Sequence, residues 1–151
     1  MITKDRILAA QNSWGSSVVH VGEATTWAEA RDRAEALVKA HYVLDGSLLF
    51  APTKARVTQF RPTLDAALSY FVGRNDTFAE DGGFALEPWT SVRFENTGIV
   101  LREDCGIAMG NYFFGKADGS ELKVEYSFVY VEDEAGDVKV QLHHSALPYA
   151  G

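Results

Sequence analysis

The residues best suited to chemistry stand near the end of the chain, in VQLHHSALPY, Val140 to Tyr149. Side chains alternate across a β-strand. Lys139, Gln141, His143 and Ser145 are therefore expected on one face, and Val138, Val140, Leu142 and His144 on the other. An imidazole beside a hydroxyl is an acid–base pair, since histidine exchanges protons near neutral pH with an ordinary pKa of about 6.5. The same spacing argues against a metal. His143 and His144 point opposite ways, and His20 and His41 belong to separate helices. Zinc needs three or four convergent ligands. A plainer reading stays open on spacing alone: both side chains satisfy hydrogen bonds where the strand frays before Pro148.

Other polar residues carry two readings each. Thr53, after Pro52, is a turn residue or a site hydroxyl, and Tyr70 is a core tyrosine or a pocket phenol. Arg61, before Pro62, is an anion holder or a surface charge. Cys105, the only cysteine, excludes an internal disulfide and a cysteine-rich zinc site. It follows the acidic pair Glu103-Asp104 and opens an apolar strand, so a buried structural thiol is expected rather than a thiolate. Phe50, Trp89, Tyr112, Phe114 and Phe128 read as core. Phosphate-binding glycine loops, a nucleophile elbow and paired carboxylates at usable positions are missing.

The elements that must position these residues begin with helices. Thr3 caps a first helix reaching about residue 20, with Ile7, Leu8, Gln11, Trp14 and Val18 on one broad face. Gly15-Ser16-Ser17 marks a close contact or a bend in it. Thr26 to Glu29 is a capping box opening a helix to about His41. A short strand over Leu48–Phe50 follows the Asp45-Gly46 turn, and Thr63 opens a third helix that ends at Gly73. After a loop over 75–88 the period changes from helical to alternating. Strands are expected over 89–103, 105–115, 121–131 and 137–145, with turns at 116–119 and 133–136. Helices followed by an antiparallel meander predict one α+β domain over 1–151, the helices on one sheet face and a pocket between. The other face needs cover, which suggests a homodimer through the sheet.

The chain's 151 residues, 46% of them hydrophobic, suffice for one core. Charge is uneven. Residues 1–75 hold nine basic against seven acidic side chains, +2, and residues 76–151 hold five against fourteen, −9, for the net −7. So acidic a surface repels phosphate backbones, and no nucleic-acid partner is expected. No apolar run is long enough to span a membrane, and no membrane partner is expected. The N-terminus reads as the start of a domain, so a cytoplasmic location is expected.

The order of segments LLFAPTKA, ALSYFVG, FALEPWTSVRFENTGI, AMGNYFF, KVEYSFVY and HHSALPY resembles the iota-class carbonic anhydrases of cyanobacteria and algae, over essentially residues 10–149. Similar chains are often described as nuclear transport factor 2-like or as like the association domain of a calmodulin-dependent kinase. The resemblance implies a cone-like sheet around a helix-lined pocket, usually dimeric, and reversible hydration of carbon dioxide to bicarbonate. It implies a reaction without a metal or other cofactor. It places the family's polar pocket on Thr53, Tyr70, His143 and Ser145 as catalytic and substrate-binding residues. On that basis carbon dioxide enters an apolar pocket lined by Phe50, Trp89 and Tyr112, a water held by the Thr53, Tyr70 and Ser145 hydroxyls attacks it, and His143 removes the proton directly or through Ser145. The alternatives are an oligomerising or ligand-binding module of the same shape, or an isomerase or cyclase, which would want a pocket carboxylate.

Overall fold

A computed structural model describes the whole chain, Met1–Gly151. Helix α1 spans Lys4–Gly22, α2 Trp27–His41 and α3 Leu64–Val72; the strands are β1 Leu49–Ala51, β2 Ser91–Leu101, β3 Gly106–Gly115, β4 Glu121–Glu132 and β5 Val138–Ala146. Two short 3₁₀ turns, Asp76–Phe78 and Phe84–Leu86, occupy the expected loop. All three helix starts are capped by a threonine, Thr3, Thr26 and Thr63, each accepting from the backbone N–H three residues on. In the second of these, Glu29 reaches back to the Thr25 N–H and hydroxyl rather than to Thr26. Gly73 ends α3 with φ at 66°, a left-handed conformation that favours glycine. No helix is long and apolar enough to cross a membrane.

The strands form one sheet in the order β1-β5-β4-β3-β2. The last four make an antiparallel meander, and β1 adds to β5 in parallel. The helices cover one face. On α1, Ile7, Gln11, Trp14 and Val18 are buried, while Leu8 is only half-buried. Gly15 is a contact rather than a bend: a Cβ there would stand 3.0 Å from the Val92 Cβ of β2. The sheet meets this layer with Tyr112 and Phe114 of β3, and with Val124, Tyr126, Phe128 and Tyr130 of β4, all buried. Aromatic residues remove large areas from water, so this face supplies much of the core's stabilisation.

Two bulges shape the sheet. One lies at Thr97 in β2, where Asn96 exchanges two 2.8 Å hydrogen bonds with the Gln11 amide. The other lies at Gln141. Tyr130 pairs with Val140 but Val129 with Leu142, so Gln141 has no partner on β4. This corrects the simple alternation along β5. Val140, His143 and Ser145 all face the core, although Val140 and His143 stand an odd number apart. His144 points outward, as alternation predicted. Cys105 is half-buried rather than buried, at the end of the β2–β3 turn where its carbonyl accepts from Arg102.

Candidate active site

The site is built around His143. Its register partners on the two neighbouring strands are Phe50 of β1 and Phe128 of β4, and their rings stack on the imidazole at centroid distances of 4.8 and 4.1 Å. Trp14 of α1 meets it edge-on at 5.7 Å. The ring is 2% exposed. Such a cage disfavours a charged imidazolium, so burial holds the His143 pKa down at about 3, with the neighbouring His144 adding to the effect.

Both ring nitrogens nevertheless have partners. Nδ1 lies 2.9 Å from the Tyr42 hydroxyl and Nε2 lies 3.0 Å from the Tyr112 hydroxyl. Tyr42 is also reached by the Trp14 indole N–H at 3.0 Å. Tyr112 is in turn 2.5 Å from Ser145 Oγ, and Ser145 is 2.6 Å from Thr53 Oγ1. A continuous run of polar groups therefore leads from Trp14 through the core to Thr53. Burial pushes the Tyr42, Tyr70 and Tyr112 phenols well above their ordinary value, so all three are protonated donors near neutral pH.

Tyr70, on the inward face of α3, arrives from the other side. Its hydroxyl accepts the Lys54 N–H at 3.1 Å, which fixes the loop just after Thr53. That loop is further clamped. Arg61, expected as an anion site or a surface charge, is neither. It is fully buried, forks onto Asp81 at 2.7 and 2.8 Å, and donates to the Thr58 and Ala66 carbonyls. Glu80 accepts from the backbone N–H groups of Arg56, Val57 and Thr58, and those bonds hold its pKa at about 2. Thr53 is thus placed against Ser145 by a loop tied at both ends.

Thr53, Tyr70, His143 and Ser145 all line one cavity, walled otherwise by Pro52 and by the rings of Trp14, Phe50, Phe71, Phe84, Tyr112 and Phe114. Its volume is about 10 Å³, close to the ~10–15 Å³ that one water needs. No carboxylate lines it. Beyond it lies an open recess of about 300 Å³, bordered by Lys54, Glu80, Gly83 and Trp89. Tyr70 and Phe84 border both spaces, their rings stacked at 5.5 Å, so they form the wall between. Trp89, expected in the inner pocket, stands behind Phe84 and faces the recess, because β2 begins only at Ser91. Nowhere do three or more His, Cys, Asp or Glu side chains converge as a metal site.

Sequence reasoning placed Tyr112 only in the wall, and passed over Tyr42 and the polar edge of Trp14. Their side chains gave one signal, since buried Tyr and Trp need partners for their polar atoms. Direct proton removal by His143 also loses its geometry: both nitrogens are engaged, and Tyr112 stands between the ring and Ser145.

Helices packed on one face of an antiparallel meander, with a cavity between the two layers, define the nuclear transport factor 2-like class. Such a protein of Salmonella enterica superposes with a TM-score of 0.51 at 10% identity, over 96% of each chain, which supports the fold alone. Residues 5–147 match the family described as metal-independent carbonic anhydrase. A metal-independent carbonic anhydrase of Nostoc sp. is 36% identical over 156 residues, covering 98% of this chain and 75% of that protein. The crystal structure of a cyanobacterial iota-carbonic anhydrase complexed with bicarbonate superposes with a TM-score of 0.96 at 35% identity, over 99% of this chain and 94% of the other. The chain belongs to the metal-independent carbonic anhydrase family.

Proposed function

We infer that this protein hydrates carbon dioxide reversibly to bicarbonate and a proton in the cavity between Thr53, Tyr70 and Ser145, without a metal. The observation that carries this reading is the convergence of the Thr53, Tyr70 and Ser145 hydroxyls on a water-sized, largely aromatic cavity, in a chain belonging to the metal-independent family. Aromatic walls suit an apolar gas. Carbon dioxide is larger than the water the cavity fits, so its admission from the recess requires Tyr70 and Phe84 to part. Within the cavity the hydroxyls orient a water against the carbon. As the new C–O bond forms, one C=O electron pair moves onto oxygen, where hydroxyl donors stabilise it, and the water's proton leaves to solvent through the recess. Donors fixed in advance around a developing oxyanion are worth on the order of 10²–10³ in rate each. Zinc instead lowers the pKa of its water to about 7 and makes hydroxide outright. A turnover well below that of the zinc enzymes is therefore expected.

The test is stopped-flow hydration of carbon dioxide by chelator-treated, metal-analysed protein, beside Ser145→Ala and Thr53→Val. Activity that persists without metal and falls roughly 10²-fold in folded Thr53→Val, which removes a hydroxyl donor from the cavity, with a loss also in Ser145→Ala, supports the reading. Activity restored only by added metal overturns the mechanism, and no activity in any sample favours a binding module of the same shape.

We also propose that two copies pair through the outer sheet face. Leu49, Leu142, Val129, Ile107 and Val100 are successive register partners on β1, β5, β4, β3 and β2. They form an apolar row across the sheet, with Leu49 62% exposed. Light scattering should give twice the chain mass for wild type and a monomer for Val129→Lys; a monomeric wild type refutes the pairing.

A further inference from the structure

The run of hydrogen bonds through the core has one direction that leaves no buried hydrogen unpaired, and Trp14 fixes it. An indole N–H only donates. It donates to the Tyr42 oxygen, whose one other partner is His143 Nδ1. The Tyr42 hydrogen cannot return to Trp14, so it goes to Nδ1, which must carry a lone pair. A neutral imidazole has one N–H, which then sits on Nε2 and is given to Tyr112. Tyr112 has only Ser145 left to donate to, and Ser145 only Thr53. Beyond Ser145, Thr53 has only the Tyr70 oxygen near it, which already accepts the Lys54 N–H, and both side chains line the cavity, so the Thr53 hydrogen is offered on that side. The opposite direction puts the proton on Nδ1 and leaves the Tyr42 hydrogen without an acceptor in a residue 2% exposed, an unfavourable arrangement.

We propose that Trp14 and Tyr42 are positioning residues that hold His143 as its neutral Nε2–H tautomer and orient every hydroxyl of the run, so that Thr53 presents a donor to an oxygen in the cavity. His143 then serves as a hydrogen-bond donor behind Tyr112, not as the base that takes the water's proton. The role in turnover rests on the carbon dioxide reading given above; the tautomer does not.

The first arm of the test is therefore independent of activity. Long-range proton–nitrogen spectra of histidine-labelled wild-type protein should show Nδ1 bare and Nε2 protonated near neutral pH, unchanged on mild acidification. A proton on Nδ1, an averaged pair or an imidazolium would overturn the proposal. In folded Tyr42→Phe the two nitrogens should move toward averaged positions, and kcat should fall roughly tenfold, the worth of one hydrogen bond, with KM little changed. An unchanged spectrum in that variant also overturns it. The second arm compares His143→Gln, whose amide can donate in place of Nε2 but cannot accept a proton, with His143→Ala. Gln should retain activity within about tenfold of wild type. Loss of about 10²–10⁴-fold in both variants, as removal of a general base gives, refutes the donor role. Should these variants fail to fold, the wild-type spectrum still decides.

Discussion

Acidification should weaken this fold through His143, and the size of the effect follows from its cage. The imidazole titrates near 3 in the folded protein against an ordinary 6.5, because burial between Phe50 and Phe128 excludes the charged form. The unfolded chain therefore binds a proton at pH values where the folded chain does not. The sign follows: the contribution is fully present above about pH 6.5 and is lost progressively as pH falls toward about 3. At about pH 4 the unfolded side chain is almost fully protonated and the folded one almost neutral, a difference of about 3 kcal/mol. That is a large share of the ~5–15 kcal/mol typical of a whole domain. The assay is urea unfolding near pH 7 and near pH 4, for wild type and His143→Gln. Carboxylates whose pKa is held low, such as Glu80, weaken both proteins alike, as does His41, whose pKa burial also lowers. The glutamine variant should accordingly lose about 3 kcal/mol less than wild type across the interval. Equal losses would refute the argument, since they would mean that position 143 takes up no extra proton on unfolding.

The clamp on the Thr53 loop yields two further expectations. Asp81→Ala takes the close carboxylate from the fully buried Arg61 guanidinium and leaves only Glu80 at 3.8 Å, so thermal or urea unfolding should show a loss toward the lower end of the about 3–5 kcal/mol that breaking a buried pair costs; a loss under 1 kcal/mol would show that water reaches the site. Glu80 holds three backbone N–H groups with a pKa lowered from 4.5 to about 2. Its contribution is complete above pH 4.5 and fades as pH falls through about 2, so hydrogen exchange at Arg56, Val57 and Thr58 should lose protection over that range and already at neutral pH in Glu80→Ala.

The helices were legible because their ends are written locally. Thr3, Thr26 and Thr63 cap, Gly73 stops, and each instruction acts within about one turn. The meander was legible in the same way, since alternation along β4 survives intact from Val124 to Tyr130. Arg61 was not, because its partner Asp81 lies twenty residues on and nothing local distinguishes a buried arginine from an exposed one.

The strand that carries the site shows where local reading stops. Alternation set His143 beside Ser145 correctly, because both lie on the C-terminal side of Gln141. It failed for Val140, because the unpaired Gln141 shifts the parity of everything before it. No glycine marks that bulge; its position follows from matching Tyr130 to Val140 and Phe128 to His143 at once. That match has a chemical consequence. Val140 also bridges to Tyr42 and its carbonyl accepts from Val43, tying the end of α2 to the core side of β5. With Val140 fixed there and His143 turned inward beyond the bulge, the Tyr42 hydroxyl meets Nδ1. A β5 without the extra residue, paired with β4 as it is beyond Gln141, would turn Val140 outward and remove the bridge that brings Tyr42 to the imidazole. The bulge is thus part of the site, although none of its own atoms lines the cavity.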